Sequence, residues 1–275
     1  MRMHKLIVTA LALAGVLSCS KQNPGSDQTL LFSFTVSLET DIKAIADGAS
    51  ATQLLVGVLD ADGTPLDGFR KVVTRTSGEA FTFDLQLVEQ MEYTVLLFAQ
   101  SENRFISSAD YLGDNGSAAL LFAVPLPETM GLNQEQDDAF TGVSTFTGAS
   151  SSVVLTLTRA WGQVNIASSL DISSLTTVSL TIPGLPSHFD VRTGESASGA
   201  TSQSLTITGA PLTGETFHEG VTDYNYIGYA YVPIGKTLLY TSPTLTLTRS
   251  GPPSEITLGS IPLRANYRTN ILGGL

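Results

Sequence analysis

From Thr29 onward the chain keeps returning to one pattern, a large apolar residue followed by a Ser or Thr, and a period of two admits extended strands and little else. Thr29-Leu-Leu-Phe-Ser-Phe-Thr-Val-Ser-Leu38 alternates from Leu31 or Phe32 onward, which lines one face with apolar groups and the other with hydroxyls. Gln53-Leu-Leu-Val-Gly-Val-Leu-Asp60 reads as a more buried strand and stops at Asp60-Ala-Asp-Gly-Thr-Pro65, a cluster of turn formers. Lys71 to Thr76, Ala80 to Leu87 and Tyr93 to Ala99 follow, with strand and turn alternating at the spacing of a sandwich. Between Asp110 and Phe146 glycines and prolines interrupt the apolar runs, and a long crossover with a domain boundary is expected there. Strands resume at Ser152–Arg159 and continue through 177–182, 203–208, 226–232, 245–248 and 255–258. No segment holds a 3.6-residue apolar period long enough for a core helix, which removes the α/β classes and their nucleotide crevices. The expectation is an all-β sandwich protein with units at 29–146 and 147–275.

The first residues are of another kind. Arg2, His4 and Lys5 precede an almost wholly apolar stretch, Leu6 to Leu17, the layout of a secretory signal. A dozen or so apolar residues fall short of the roughly 20 that a membrane-spanning helix needs, so residues 1–18 are expected to be removed. The single cysteine closes the stretch in Val16-Leu17-Ser18-Cys19 and looks like a bacterial lipobox, in which the cysteine is acylated and begins the mature chain. Several acyl groups at about 0.8 kcal/mol per buried methylene would hold such a protein on a membrane, with residues 19–28 as linker. A membrane surface is therefore the expected location, with Cys19 as the anchor point.

Loss of the signal takes Arg2 and Lys5, so 14 basic residues become 12 against 25 acidic ones and the net charge passes from −11 to −13. Nucleic acid and anionic lipid surfaces call for basic clusters, and none occurs after Lys5. Catalytic chemistry has little to work with. His188 and His218 stand apart in loop-forming surroundings, no thiol is left for a zinc site, and phosphate-loop, dinucleotide and serine-nucleophile motifs are missing. No catalytic residue, metal site or cofactor is expected. The carboxylates Asp60, Asp62 and Asp67 around Gly63 read as a solvated hairpin turn rather than a calcium loop, since they lack the spacing and closing Glu of such loops. Glu135, Asp137 and Asp138 form a second acidic group, and two carboxylates placed far apart in sequence are what a carboxylate-based hydrolase would use, the third-ranked functional reading. The aromatic run Tyr224-Asn-Tyr-Ile-Gly-Tyr-Ala-Tyr231 places Tyr229 and Tyr231 on one face; core packing is the favoured reading, with Trp161, Tyr229 and Tyr231 the candidates if a ligand surface is present.

Several segments together resemble the Bacteroidales fimbrillin-like lipoproteins, the group that contains type V pilus subunits. They are Asn266-Tyr-Arg-Thr-Asn-Ile271 near the C-terminus, Asp137-Asp-Ala-Phe140 before a strand, then Leu157-Thr-Arg159 and Gln163-Val-Asn165, with Val191-Arg-Thr-Gly194 a weaker match. The resemblance implies two tandem transthyretin-like Greek-key sandwiches and a non-enzymatic role as a fimbrial subunit or fimbria-associated adhesin. It also implies partners joined by strand exchange, in which a trypsin-like protease frees the first strand, residues 29–38, and a neighbouring subunit fills the groove. Lys43 is the only basic residue between that strand and the next, and Arg70 falls after the second, so an arginine-specific cut would release two strands or none. Thr269 to Leu275 is either a donated strand or the last strand of its own sheet. The alternative function is a surface glycan-binding lipoprotein of an outer-membrane uptake system; a glycan or a host protein is the adhesion target to expect.

Overall fold

The structure is a computed structural model that describes residues 29–39, 48–147 and 152–275. The expected signal peptide, Cys19, the linker and Lys43 lie outside the described residues.

The regular structure of the described residues is almost entirely strand. Its first part gives β1 (Thr29–Leu38), β2 (Gln53–Leu59), β3 (Lys71–Thr74), β4 (Phe81–Val88) and β5 (Glu92–Gln100), then a one-turn helix α1 (Ser108–Leu112), short strands β6 (Val124–Pro125) and β7 (Thr129–Gly131), and β8 (Ala139–Thr147). Next come β9 (Ser152–Arg159), β10 (Gly162–Ser168), β11 (Thr177–Pro186), β12 (His188–Asp190), β13 (Glu195–Ser196), β14 (Ser202–Gly209), β15 (Thr216–Glu219) and β16 (Thr222–Val232). The chain closes with β17 (Leu239–Thr241), β18 (Thr244–Thr248), β19 (Ser254–Thr257), β20 (Ile261–Leu263) and β21 (Arg268–Gly273). Among the described residues no helix is long and apolar enough to cross a membrane.

A seven-stranded sheet runs β3-β2-β5-β8-β9-β1-β4. β8 and β9 are in register only at Phe140–Arg159 and Thr141–Thr158, so the sheet turns a corner there and its two arms pack face to face. Between the arms lie Phe32, Phe34 and Val36 of β1, Phe81, Phe83 and Leu85 of β4, Leu54 and Val56 of β2, and Val95 and Leu97 of β5. A second sandwich sets the sheet β15-β16-β10-β21 against β19-β18-β11-β14-β7, with Val164, Ile166 and Val232 facing Leu180, Ile207 and Leu245. The all-β sandwich expected from the alternating pattern is therefore the fold.

The two sheet systems do not divide at residue 146. β8 and β9, on either side of that position, belong to the same sheet, while β7 pairs in parallel with β14 and β6 pairs with β12. The outer faces of β2 and β5 are covered too: Leu55, Leu59, Leu96 and Phe98 join the core that holds Trp161 and Phe189. Covered on both faces, β2 needs apolar residues at successive positions, which is why it reads Leu-Leu-Val-Gly-Val-Leu rather than alternating.

Candidate functional site

β1 has a neighbour on each side. It runs antiparallel to β4, with Phe34 opposite Phe83, and parallel to β9, with Val36 opposite Leu155. Its inward residues Phe32, Phe34, Val36 and Leu38 are buried, and the Phe34 ring stacks on Phe83 at 4.8 Å while meeting the edge of Phe146 at 5.7 Å. At about 1.5–3 kcal/mol per side chain, these residues hold β1 in place with on the order of 10 kcal/mol. Its removal would leave a groove lined by facing backbone edges of β4 and β9 and floored by Phe83 and Phe146. The alternation of residues 29–38 made the strand legible, but not Phe83 and Phe146, which alternation marks as inward without naming what they touch.

Arg70 follows a 3-10 turn at Asp67–Phe69 and is bound into its surroundings, with Nε donating to the Asp67 carbonyl at 2.9 Å and Nη1 to the Tyr111 carbonyl. A protease would have to extract this guanidinium before cutting, and the cut would detach β2, every residue of which is buried, along with β1.

The segments that carried the family resemblance meet in space. Asp138, wholly buried, accepts from Arg159 Nε through both carboxylate oxygens, at 2.9 and 3.0 Å, and from its neighbour's amide, Ala139 N, at 3.0 Å. Burial pushes the Asp138 carboxyl up to about 6, and the Arg159 guanidinium opposes that rise. Asp137 pairs separately with Arg104. On β10, Gln163 Nε2 donates to Asn165 Oδ1, Asn165 Nδ2 to Asn270 Oδ1 of β21, and Asn270 Nδ2 to Glu219 of β15. A line of side chains thus ties three strands of one sheet, and Asn266 N closes the turn before β21 onto the Trp161 carbonyl at 2.9 Å.

Trp161, Tyr229 and Tyr231 do not face a ligand surface. They are 0, 7 and 1 % exposed and pack in the core, where Trp161 meets Phe105 at 5.4 Å and Phe189 at 5.0 Å. The register of β10 and β16 shifts opposite Ile227, and this bulge brings the Tyr226 hydroxyl to Asn165, the residue opposite Tyr229. Tyr226 and Tyr229 therefore share a face, where a regular strand would set residues three apart on opposite ones. Burial raises the Tyr229 hydroxyl to about 12 and drives Tyr231 further up.

The remaining polar candidates stay apart. His218 Nδ1 lies 2.6 Å from Asp223 on an exposed hairpin, and His188 Nδ1 lies 3.0 Å from Ser187 Oγ. The Asp60 carboxylate caps its own turn by accepting from Asp62 N and Thr64 N, whereas Asp67 accepts from Ala118 N and Ser117 Oγ of another loop. Among the described residues no three His, Cys, Asp or Glu side chains converge in a group able to hold a metal.

Residues 24–275 match the model of a family described as a family of unknown function (DUF6562). No curated protein matches the chain. Among solved structures it is similar to a candidate cell adhesion protein from Bacteroides ovatus, at 14% identity over 89% of this chain and 92% of that one, with a TM-score of 0.50; the likeness is one of fold. Also similar are a fimbrial assembly protein from Parabacteroides distasonis, at 16% identity, 88% and 92% coverage and a TM-score of 0.45, and the fimbrial anchor protein Mfa2 from Porphyromonas gingivalis, at 14%, 80% and 78%, and 0.43.

Proposed function

The chain belongs to this family of unknown function, and we propose that it is a non-enzymatic cell-surface lipoprotein, a fimbrial subunit or fimbria-associated adhesin that assembles by β-strand exchange. The observation that carries the reading is β1: the first described strand of the chain, held between β4 and β9, with four inward apolar side chains. A strand so placed leaves without threading through the rest of the molecule once the segment after it is cut. What replaces it must offer the same alternation, backbone groups to both edges and apolar side chains to the vacated pockets. The segment 266–271, similar to the ending common among fimbrillin-like lipoproteins, agrees with this reading. In the isolated chain β21 is the last strand of its own sheet, parallel to β10, and a donor role would require it to detach. Lipid on Cys19 would hold the protein at the outer membrane.

Limited trypsin treatment of lipid-free protein tests the proposal, with the cut located by mass spectrometry and assembly followed by light scattering. The expected outcome is cleavage after Lys43, release of β1 and concentration-dependent linear oligomers. A chain cut there that remains monomeric, with β1 released, would sink strand exchange.

A further inference from the structure

Two adjoining hollows open where the β8–β9 corner meets the loops around Gly194, Lys236 and Arg264. Their volumes are about 330 and 260 Å³, and both are lined by Thr141, Thr158 and Lys236. Arg159 and Arg264 line the larger, Arg192 the smaller, and no carboxylate lines either, in a chain with 25 acidic residues against 14 basic.

Two of these cations have acidic partners behind the wall: Arg159 pairs with Asp138 and Arg192 with Asp190, at 2.9 and 2.7 Å. Lys236 and Arg264 are in no ion pair among the described residues. The Lys236 ammonium makes one long contact, 3.4 Å, to the Thr193 carbonyl, and the carboxylate of nearby Glu195 is taken by Thr237. Arg264 lies 4.5 Å above the Tyr267 ring, which is 57 % exposed. In the same wall, Thr141 is 6 % exposed and its hydroxyl has no hydrogen-bond partner among the described residues, and the buried Asn266 Oδ1 has none either. Both atoms are sealed from solvent, as are the unpaired Trp161 Nε1, Gln163 Oε1 and Tyr231 hydroxyl elsewhere, so it is the two uncompensated cations that mark the cleft as a place to meet something negative.

We propose that this cleft binds an acidic sugar, a single ring carrying a carboxylate. Lys236 and Arg264 supply the charge for the carboxylate. The Asn266 amide and the Thr141 hydroxyl are sealed from solvent in this structure and would pair with sugar hydroxyls on turning toward the ligand. The open face of Tyr267 is a platform for the apolar side of the ring. A hollow of this size lies at the lower end of small-molecule sites, which suits one sugar unit and not a long chain. The smaller hollow borders on Leu155, Thr156 and Leu157 of β9, which pair with β1, but the ligand contacts assigned here, Lys236, Arg264, Asn266 and Tyr267, lie outside the groove around β1.

Calorimetric titration of the purified full chain at low ionic strength tests it, with glucuronate and N-acetylneuraminate as probes and glucose, sulfate and a short peptide with a free carboxylate as comparators. The acidic sugars are expected to bind at least about tenfold tighter than each comparator. Lys236→Ala with Arg264→Ala, both exposed positions, should weaken that binding by about tenfold or more while leaving the melting temperature unchanged. Thr141→Val should weaken it with the cations intact. Sulfate binding as tightly as the sugars, tighter binding of the peptide, undiminished affinity in the double variant, or no binding at all would each overturn the proposal.

Discussion

At the scale of single residues, the sequence displays groups but not their partners. Asp137-Asp138 reads as an acidic pair, yet the structure gives each carboxylate its own arginine from a different segment, Arg104 and Arg159. The Tyr run reads as strand, but the bulge opposite Ile227 changes which tyrosines share a face, and no local residue type announces it. Asp138 has a measurable consequence. Burial raises its carboxyl from 3.8 to about 6, so between those values the folded chain holds a proton that the unfolded chain has released. The stability due to that proton is fully present below 3.8 and is lost as pH rises through about 6. Urea unfolding of wild type and Asp138→Asn from pH 7 to pH 4 should therefore show the wild type gaining stability relative to the variant as pH falls. Parallel curves would mean that Arg159 keeps the carboxylate ionised throughout.

At the scale of elements, legibility follows length and period. Residues 29–38 and 152–159 coincide with β1 and β9, and most other long strands fall within a few residues of their expected limits, because alternation over many positions leaves few other solutions; β8, nine residues long, is an exception and lies in the stretch expected as a crossover. β6, β7, β12 and β13 were not legible, since strands of two or three residues have no period to display. Gly162 shows how one element is fitted to another. A Cβ there would stand 2.7 Å from the Arg264 carbonyl oxygen, a backbone atom with little freedom to move, so the first residue of β10 must be glycine for the 264–267 turn to close over it. Gly162→Ala is expected to cost about 1–3 kcal/mol by denaturant midpoint. Gly259→Ala, where nothing lies within 4 Å, should stay within about 0.5 kcal/mol and serves as the control.

At the scale of the whole molecule, the sheets interlock across the division expected at 146/147. Pairing partners distant in sequence decide this, and periodicity carries no record of them: β7 goes to β14, β6 to β12, and the outer faces of β2 and β5 to the core around Trp161. Since β2 and β5 each give one face to each core, the two cores are expected to unfold together. The single tryptophan sits where they meet, so its fluorescence and the far-UV circular dichroism should report the same denaturant midpoint; two separated transitions would show that the halves are independent. β1 and β21 bear differently on what happens when the molecule is pulled. β1 is laced to a neighbour on both sides and keyed into the core, whereas β21 is an edge strand with β10 alone beside it. Tension entering at Thr29 must break two ladders together, while tension entering at Gly273 can peel one ladder bond by bond. The molecule thus has a firm end and a yielding end, a mechanical polarity fixed by where two strands lie in their sheets.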